Sequence, residues 1–144
     1  MLVLIVLFGS LLVFRASGLG GVTMLATWLA SARAALAVMF LFTSISHFTP
    51  MKKDLIAMVP ASLPRPDVLV FITGIAEALG ALGLLVPTTR FWAVCGLIVL
   101  LLAMLPANIS AARRGVLLKG RVATPLSLRI PMQLLFIGWA WVVR

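Results

Sequence analysis

An all-α, polytopic membrane protein is the fold class this chain predicts: a four-helix transmembrane bundle with an additional N-terminal hydrophobic helix. Three observations carry that reading. Of 144 residues, 63% are hydrophobic and 10% charged, with a mean hydropathy of +1.23, whereas a soluble domain is about half apolar and about a quarter charged. A chain this short cannot hide so much apolar surface in a core of its own, so a bilayer must solvate part of it. The apolar residues also fall into blocks of membrane-spanning length, and the charges collect between those blocks.

Five blocks are legible, at roughly 1–14, 23–47, 67–86, 91–109 and 127–143. The last four reach the roughly 17–25 residues that a spanning helix uses. The first, MLVLIVLFGSLLVF, is short of a full crossing at 1.5 Å per residue. It can be an extra spanning helix continued through Ala16 to Gly18, a signal-peptide-like segment without the basic start, or an incomplete interfacial helix. We read it as a retained extra helix, and divide the chain into an N-terminal segment and turn, 1–21, and a four-helix membrane domain, 22–144. RASGLGG (15–21) reads as a glycine-rich turn. The stretch 48–66 holds Pro50, Pro60, Pro64 and Pro66, which no helix interior accommodates easily. Within it, MKKDLIAMV (51–59) is a short amphipathic run suited to an interface. PTTR (87–90) reads as a tight turn with Thr88 or Thr89 capping the next helix. Residues 111–124 form the last basic connection.

Charge sets an orientation. Lys52, Lys53, Arg65, Arg113, Arg114, Lys119 and Arg121 lie in the 48–66 and 110–126 loops, on one side of the alternating helices. Arg15, Arg90 and Arg144 fall on the other. The positive-inside rule places the first side in the cytoplasm of a multi-pass cell (inner) membrane protein. Trp28, Trp92, Trp139 and Trp141 then share the opposite interface, where tryptophan favours headgroup level. The net charge of +9 is explained by these loops, so nucleic acid is not an expected partner. Cys95 is the sole cysteine and makes neither an internal disulfide nor a CxxC pair. One histidine without a cysteine cluster makes no metal site.

Glu77 is the most informative residue. It is the acid inside an apolar block, whereas Asp54 and Asp67 are in loops. An acidic side chain at a helix centre costs about 2.5–3.5 kcal/mol on insertion scales, so it normally faces a bundle interior, a cavity or a partner. Thr73, Gly74, Gly80, Ala81 and Gly83 share its helix face, and small residues allow close helix approach. Glu77 is thus either a structural carboxyl or a group that anchors a ligand or accepts a proton. Arg33 is either a side chain reaching for the interface or a partner for Glu77. His47 closes the second block, with Thr43 and Ser44 on its face; it is a helix cap or a proton-exchanging ligand contact. Asn108 follows Pro106 and Gln133 follows Pro131, where their amides can satisfy carbonyls freed by proline or line a pocket. Threading puts Glu77, His47, Asn108 and Gln133 in one zone between mid-bilayer and the cytoplasmic face. No residue is singled out as catalytic.

The landmarks occur in order: Arg33 with AVMFLFTSISHF (37–48), MVPASLP-P (58–66), TGIAEALGALGLLVPTTR (73–90), PANI (106–109) and LRIPMQLLFIGWAW (128–141). This string resembles the DoxX family of small membrane proteins over about 33–143, with 1–14 as an addition to a four-helix core. The family is named after the small subunit of an archaeal thiosulfate:quinone oxidoreductase. Other members are linked to thiol and oxidative-stress complexes, and a distant animal relative is a receptor-assembly chaperone. The recurring polar positions of the family fall on Arg33, His47, Glu77, Asn108 and Gln133. The resemblance implies a polar pocket that binds a quinone or similar small ligand, in an accessory or anchor subunit with a membrane or cytoplasmic redox partner. The paired cysteines of redox-active remote relatives are absent, which argues against dithiol chemistry and against a stand-alone enzyme. The alternative is a non-enzymatic scaffold or assembly chaperone, and either role is compatible with a homo-oligomer. A small transporter is a weaker third reading, because no inverted repeat is evident.

Overall fold

The computed structural model describes residues 2–118, 120–122 and 124–144. Lys119, counted above among the basic loop charges, lies outside the described residues, and so does the side chain of Arg121. Helix α1 spans Leu2–Leu19, followed by a short 3-10 turn at Thr23–Leu25. Then come α2 (Trp28–Ser46), α3 (Lys52–Met58), α4 (Pro66–Leu85) and α5 (Arg90–Arg114). Two-residue strands β1 (Leu117–Leu118) and β2 (Arg121–Val122) pair antiparallel, and α6 (Leu126–Val142) ends the fold. Apart from that small hairpin, the chain is an all-α membrane bundle.

Helix α1 is longer than its apolar block. Its 18 residues reach about 27 Å, close to the roughly 30 Å of a hydrocarbon core. The expected turn at 15–21 is therefore corrected: Arg15 to Leu19 continue the helix. Arg15 can stay helical because its guanidinium finds partners at the next element. It donates to the Ala26 carbonyl at 2.7 Å and lies 5.0 Å over the Trp28 ring. The Ser17 hydroxyl donates back to Val13 O at 2.9 Å. The chain turns at Gly21, whose φ of +109° is unfavourable for a residue with a Cβ.

Helix α2 starts where Thr27 accepts a bond from the Ala30 amide at 3.1 Å, an N-cap in the usual sense. Helix α4 opens with Pro66 in its first turn, where the missing amide costs nothing. Thr89 is the N-cap of α5, but its side chain does not cap. Its hydroxyl instead donates back to Gly83 O at 3.0 Å, so the expected capping bond is replaced by a closure of the α4–α5 turn. Helix α5 runs through Pro106 and past residue 109 to Arg114. Arg113 and Arg114 thus sit on its last helical turn, where cations complement the helix dipole.

The helices pack in sequence. Helix α2 contacts both α1 and α4, α4 contacts α5, α5 contacts α6, and α6 touches α2 to close the ring. The hydrophobic core fills only one half of this bundle. It comprises Leu36 and Phe40 of α2, Leu84 of α4, Leu97 of α5 and Ala140 of α6, with Leu7 of α1. These lie toward the end that carries the tryptophans. The half toward the 48–66 and 110–126 loops is not filled this way, and the candidate site lies there.

The outer faces are apolar: Leu79 is 64% exposed, Val99 65% and Leu134 63%. Contiguous apolar surface of this kind is unfavourable in water. Four helices, α1, α2, α4 and α5, are long and apolar enough to cross a membrane, and α6 is a shorter apolar helix. The exposed leucines and valines give these helices the apolar outer surface that a membrane-spanning bundle requires.

Candidate functional site

A cavity of about 510 Å³ occupies the half of the bundle that the core leaves open. This is within the roughly 300–1,000 Å³ usual for small-molecule sites. Leu69, Leu101, Met104 and Phe136 supply apolar wall, and α3 lies across the loop end with Met51, Leu55 and Met58 facing in. Arg114 fixes that helix. One of its terminal nitrogens donates to the carbonyls of Ala57, Met58 and Val59 at 2.8, 3.0 and 3.1 Å. A second depression, over Pro60, Ile109 and Arg113, lies on the outside of this clasp.

Glu77 and His47 form the polar wall contributed by α4 and α2. Glu77 is 4% exposed and His47 7%, yet both line the cavity. Their meeting depends on Gly74. A Cβ there would come within 2.5 Å of His47 Cβ, so only glycine lets the end of α2 settle against α4. Ser44 adds a tie across the same seam, donating to Gly74 O at 2.9 Å. His47 is the C-cap of α2, and its Nδ1 lies 2.7 Å from Val70 O. A carbonyl only accepts, so Nδ1 carries the proton and donates. That leaves Nε2 turned to Glu77, 3.6 Å from Oε2. Oε2 is buried without a hydrogen-bond partner among the described residues. Thr43 lies beside the same carboxyl.

Helices α5 and α6 supply the facing polar groups. Gln133 Nε2 donates to Leu101 O at 2.7 Å, which ties α6 to α5. The amide of Gln133 thus bonds a carbonyl of the neighbouring helix and not Ser127 O, the carbonyl that Pro131 frees, while the side chain also lines the cavity. Asn108 Oδ1 accepts from Arg129 at 2.5 Å, and Arg129 Nε donates to Thr124 O at 3.0 Å. Both anchors hold the guanidinium at the loop end of the cavity.

Four of the five residues singled out in the sequence, Glu77, His47, Asn108 and Gln133, border this one cavity. Arg33 does not. Its Nε donates to Val143 O at 2.9 Å, at the far end of α6, where a cation meets the carbonyl end of a helix dipole. Pairing of Arg33 with Glu77 is thus corrected: Arg33 is a helix-end anchor in the core half. Arg129 went unnoticed in the sequence, though it lies four residues before Gln133 and so on the same helix face. Thr73 was noted only as a neighbour of Glu77. Its hydroxyl donates to Leu69 O at 2.9 Å and Val70 O at 3.0 Å and lies 3.3 Å from His47 Nδ1.

No curated protein and no solved structure matches the chain. One family model does, described as a domain of unknown function (DUF8561), over residues 36–144. That span includes His47, Glu77, Asn108, Arg129 and Gln133 and leaves out α1 and Arg33. With well over half of the chain inside the match, the protein belongs to the DUF8561 family.

Proposed function

We propose that the protein binds an amphipathic small molecule, with a quinone as the leading candidate, and acts as an accessory or anchor subunit of a membrane redox system. The observation that carries this reading is Glu77. A buried carboxyl oxygen without a donor, on an apolar-walled cavity, is a costly arrangement in a fold held for stability alone. The volume suits a ring-sized head with the start of an apolar tail. Glu77, His47, Asn108, Arg129 and Gln133 would contact the head. The resemblance to DoxX proteins supports the quinone, the redox setting and a redox partner protein. The basic loops support a multi-pass inner-membrane orientation with the cavity toward the cytoplasm.

Native mass spectrometry of the detergent-purified protein tests this. A co-purified amphiphile that is lost in Glu77→Gln supports the reading. A protein that carries no small molecule, and takes up no added quinone in proteoliposomes, refutes it. The rival role, a scaffold or assembly chaperone, is favoured by the helix-to-helix bonds of Ser44 and Gln133. It predicts an empty protein whose Glu77→Gln variant loses partner proteins.

A further inference from the structure

Arg129 is a charged group without a counter-charge. It lies half-buried in the first turn of α6 and borders the cavity. Its Nε donates to Thr124 O and its Nη1 to Asn108 Oδ1, and both acceptors are neutral. No acidic side chain pairs with it among the described residues. Its Nη2 makes no hydrogen bond among those residues either. A guanidinium only donates, so the Asn108 oxygen must be the atom that faces it. The Asn108 Nδ2, carried on the same carbon, is then left as a donor with no bond among the described residues. Two donor groups, one of them charged, thus stand together at the loop end of the cavity. Glu77, the acid on the lining, is set deeper. Gly80 of α4 packs on Leu97 of α5, which puts Glu77 level with the turn around Leu101, about 10 Å along α5 from Asn108. The positive end of the α6 dipole adds to the field near Arg129, and the chain's excess of basic over acidic residues lies largely in the loops on that side.

We infer that the loop end of the cavity is an anion subsite, in which Arg129 and the Asn108 amide hold a phosphate or carboxylate group. The inference rests on the ligand-binding reading above and divides its site in two: Glu77 and His47 at the deeper end, Arg129 and Asn108 at the loop end. A guanidinium taken out of water among neutral partners leaves its desolvation uncompensated. A phosphate or carboxylate answers it with charge-assisted, paired hydrogen bonds. Leu101, Met104 and Phe136 offer an apolar wall for a chain attached to that group. A neutral amphiphile fills the same wall and leaves Arg129 without a counter-charge, so an acidic head is preferred. A bilayer phospholipid and free phosphate present the same chemistry from two sources.

The test is equilibrium dialysis of hexyl phosphate, hexanoate, hexanol and a short-tailed quinone against the protein in phosphatidylcholine nanodiscs, with empty nanodiscs subtracted. Hexyl phosphate and hexanoate are expected to bind at least about tenfold more tightly than hexanol, the worth of a charged hydrogen bond. Arg129→Gln should bring the three within about twofold of one another, whereas Arg33→Leu, away from the cavity, should keep the preference. Competition by inorganic phosphate would keep the subsite and assign it to a free anion. Competition by phosphatidylglycerol added to the nanodiscs would keep it and assign it to a bilayer lipid. Equal binding of hexanol and hexyl phosphate, or a preference that survives Arg129→Gln, overturns the inference, and the ligand reading stands where the quinone binds. Failure of all four to bind overturns the ligand reading as well. Should Arg129→Gln not fold, the comparison of ligands in the unmodified protein decides alone.

Discussion

Gly74→Ala offers the sharpest test of how α2 and α4 build the site. The new Cβ would sit 2.5 Å from His47 Cβ, 2.9 Å from His47 Cγ and 3.1 Å from Phe48 Cε2. Carbon atoms in contact prefer about 3.5–4.0 Å, so His47 must retreat by about 1 Å. It cannot do so freely, because it caps α2 and is held at 2.7 Å by Val70 O. Overpacking of this kind costs about 1–3 kcal/mol. Loss of helical glycine returns about 0.5–1 kcal/mol. The net expectation is destabilisation by about 1–2 kcal/mol. Gly96→Ala is the matched control, since a Cβ there meets nothing within 4 Å; it should stabilise by about 0.5–1 kcal/mol. The two variants should differ by about 2 kcal/mol, roughly thirtyfold in the unfolding equilibrium. Sodium dodecyl sulfate titration in bicelles, followed by tryptophan fluorescence, measures both. Equal shifts in the same direction would refute the close approach of α4 to His47.

Further expectations follow from the remaining contacts. Gln133→Leu removes a buried bond to Leu101 O and should lower stability by about 1 kcal/mol in the same titration; a stabilised variant would contradict that role. Arg114→Ala releases the three carbonyls at the end of α3. Amide exchange over residues 52–58 should rise by about tenfold or more, given the worth of charged hydrogen bonds, with α4 unchanged; an unaltered α3 would show that Arg114 is not its clasp. Arg129→Leu should reduce retention of the co-purified amphiphile in native mass spectra. Arg33→Leu, distant from the cavity, should leave it within about twofold, a difference of under 0.5 kcal/mol. Equal loss in both would place Arg33 in the site after all.

The sequence alone determined the class of the molecule and most of its elements. Hydropathy marks the helices because a membrane segment must be long and apolar, and proline-rich stretches mark where they stop. Element ends were less legible. Arg15 continues α1 because Ala26 and Trp28, residues of the next element, receive its charge. Pro106 does not end α5, which continues to Arg114. Periodicity along one helix also placed Glu77 beside Gly74 and His47 beside Thr43 and Ser44. What only the tertiary structure decided is how one helix is turned toward the next. Arg33 and Glu77 looked like partners because opposite charges attract. The crossing of α2 with α4 instead brings His47 to Glu77, and the end of α6 takes Arg33 through Val143 O. Asn108 and Arg129 lie on different helices, and nothing in either helix's pattern states their pairing. Rotation and crossing are set by complementary packing, such as Gly74 against His47. Glu77 was conspicuous as a lone acid in an apolar block. Its unpartnered oxygen, 3.6 Å from an imidazole whose other nitrogen is spent on Val70, exists only once the helices meet.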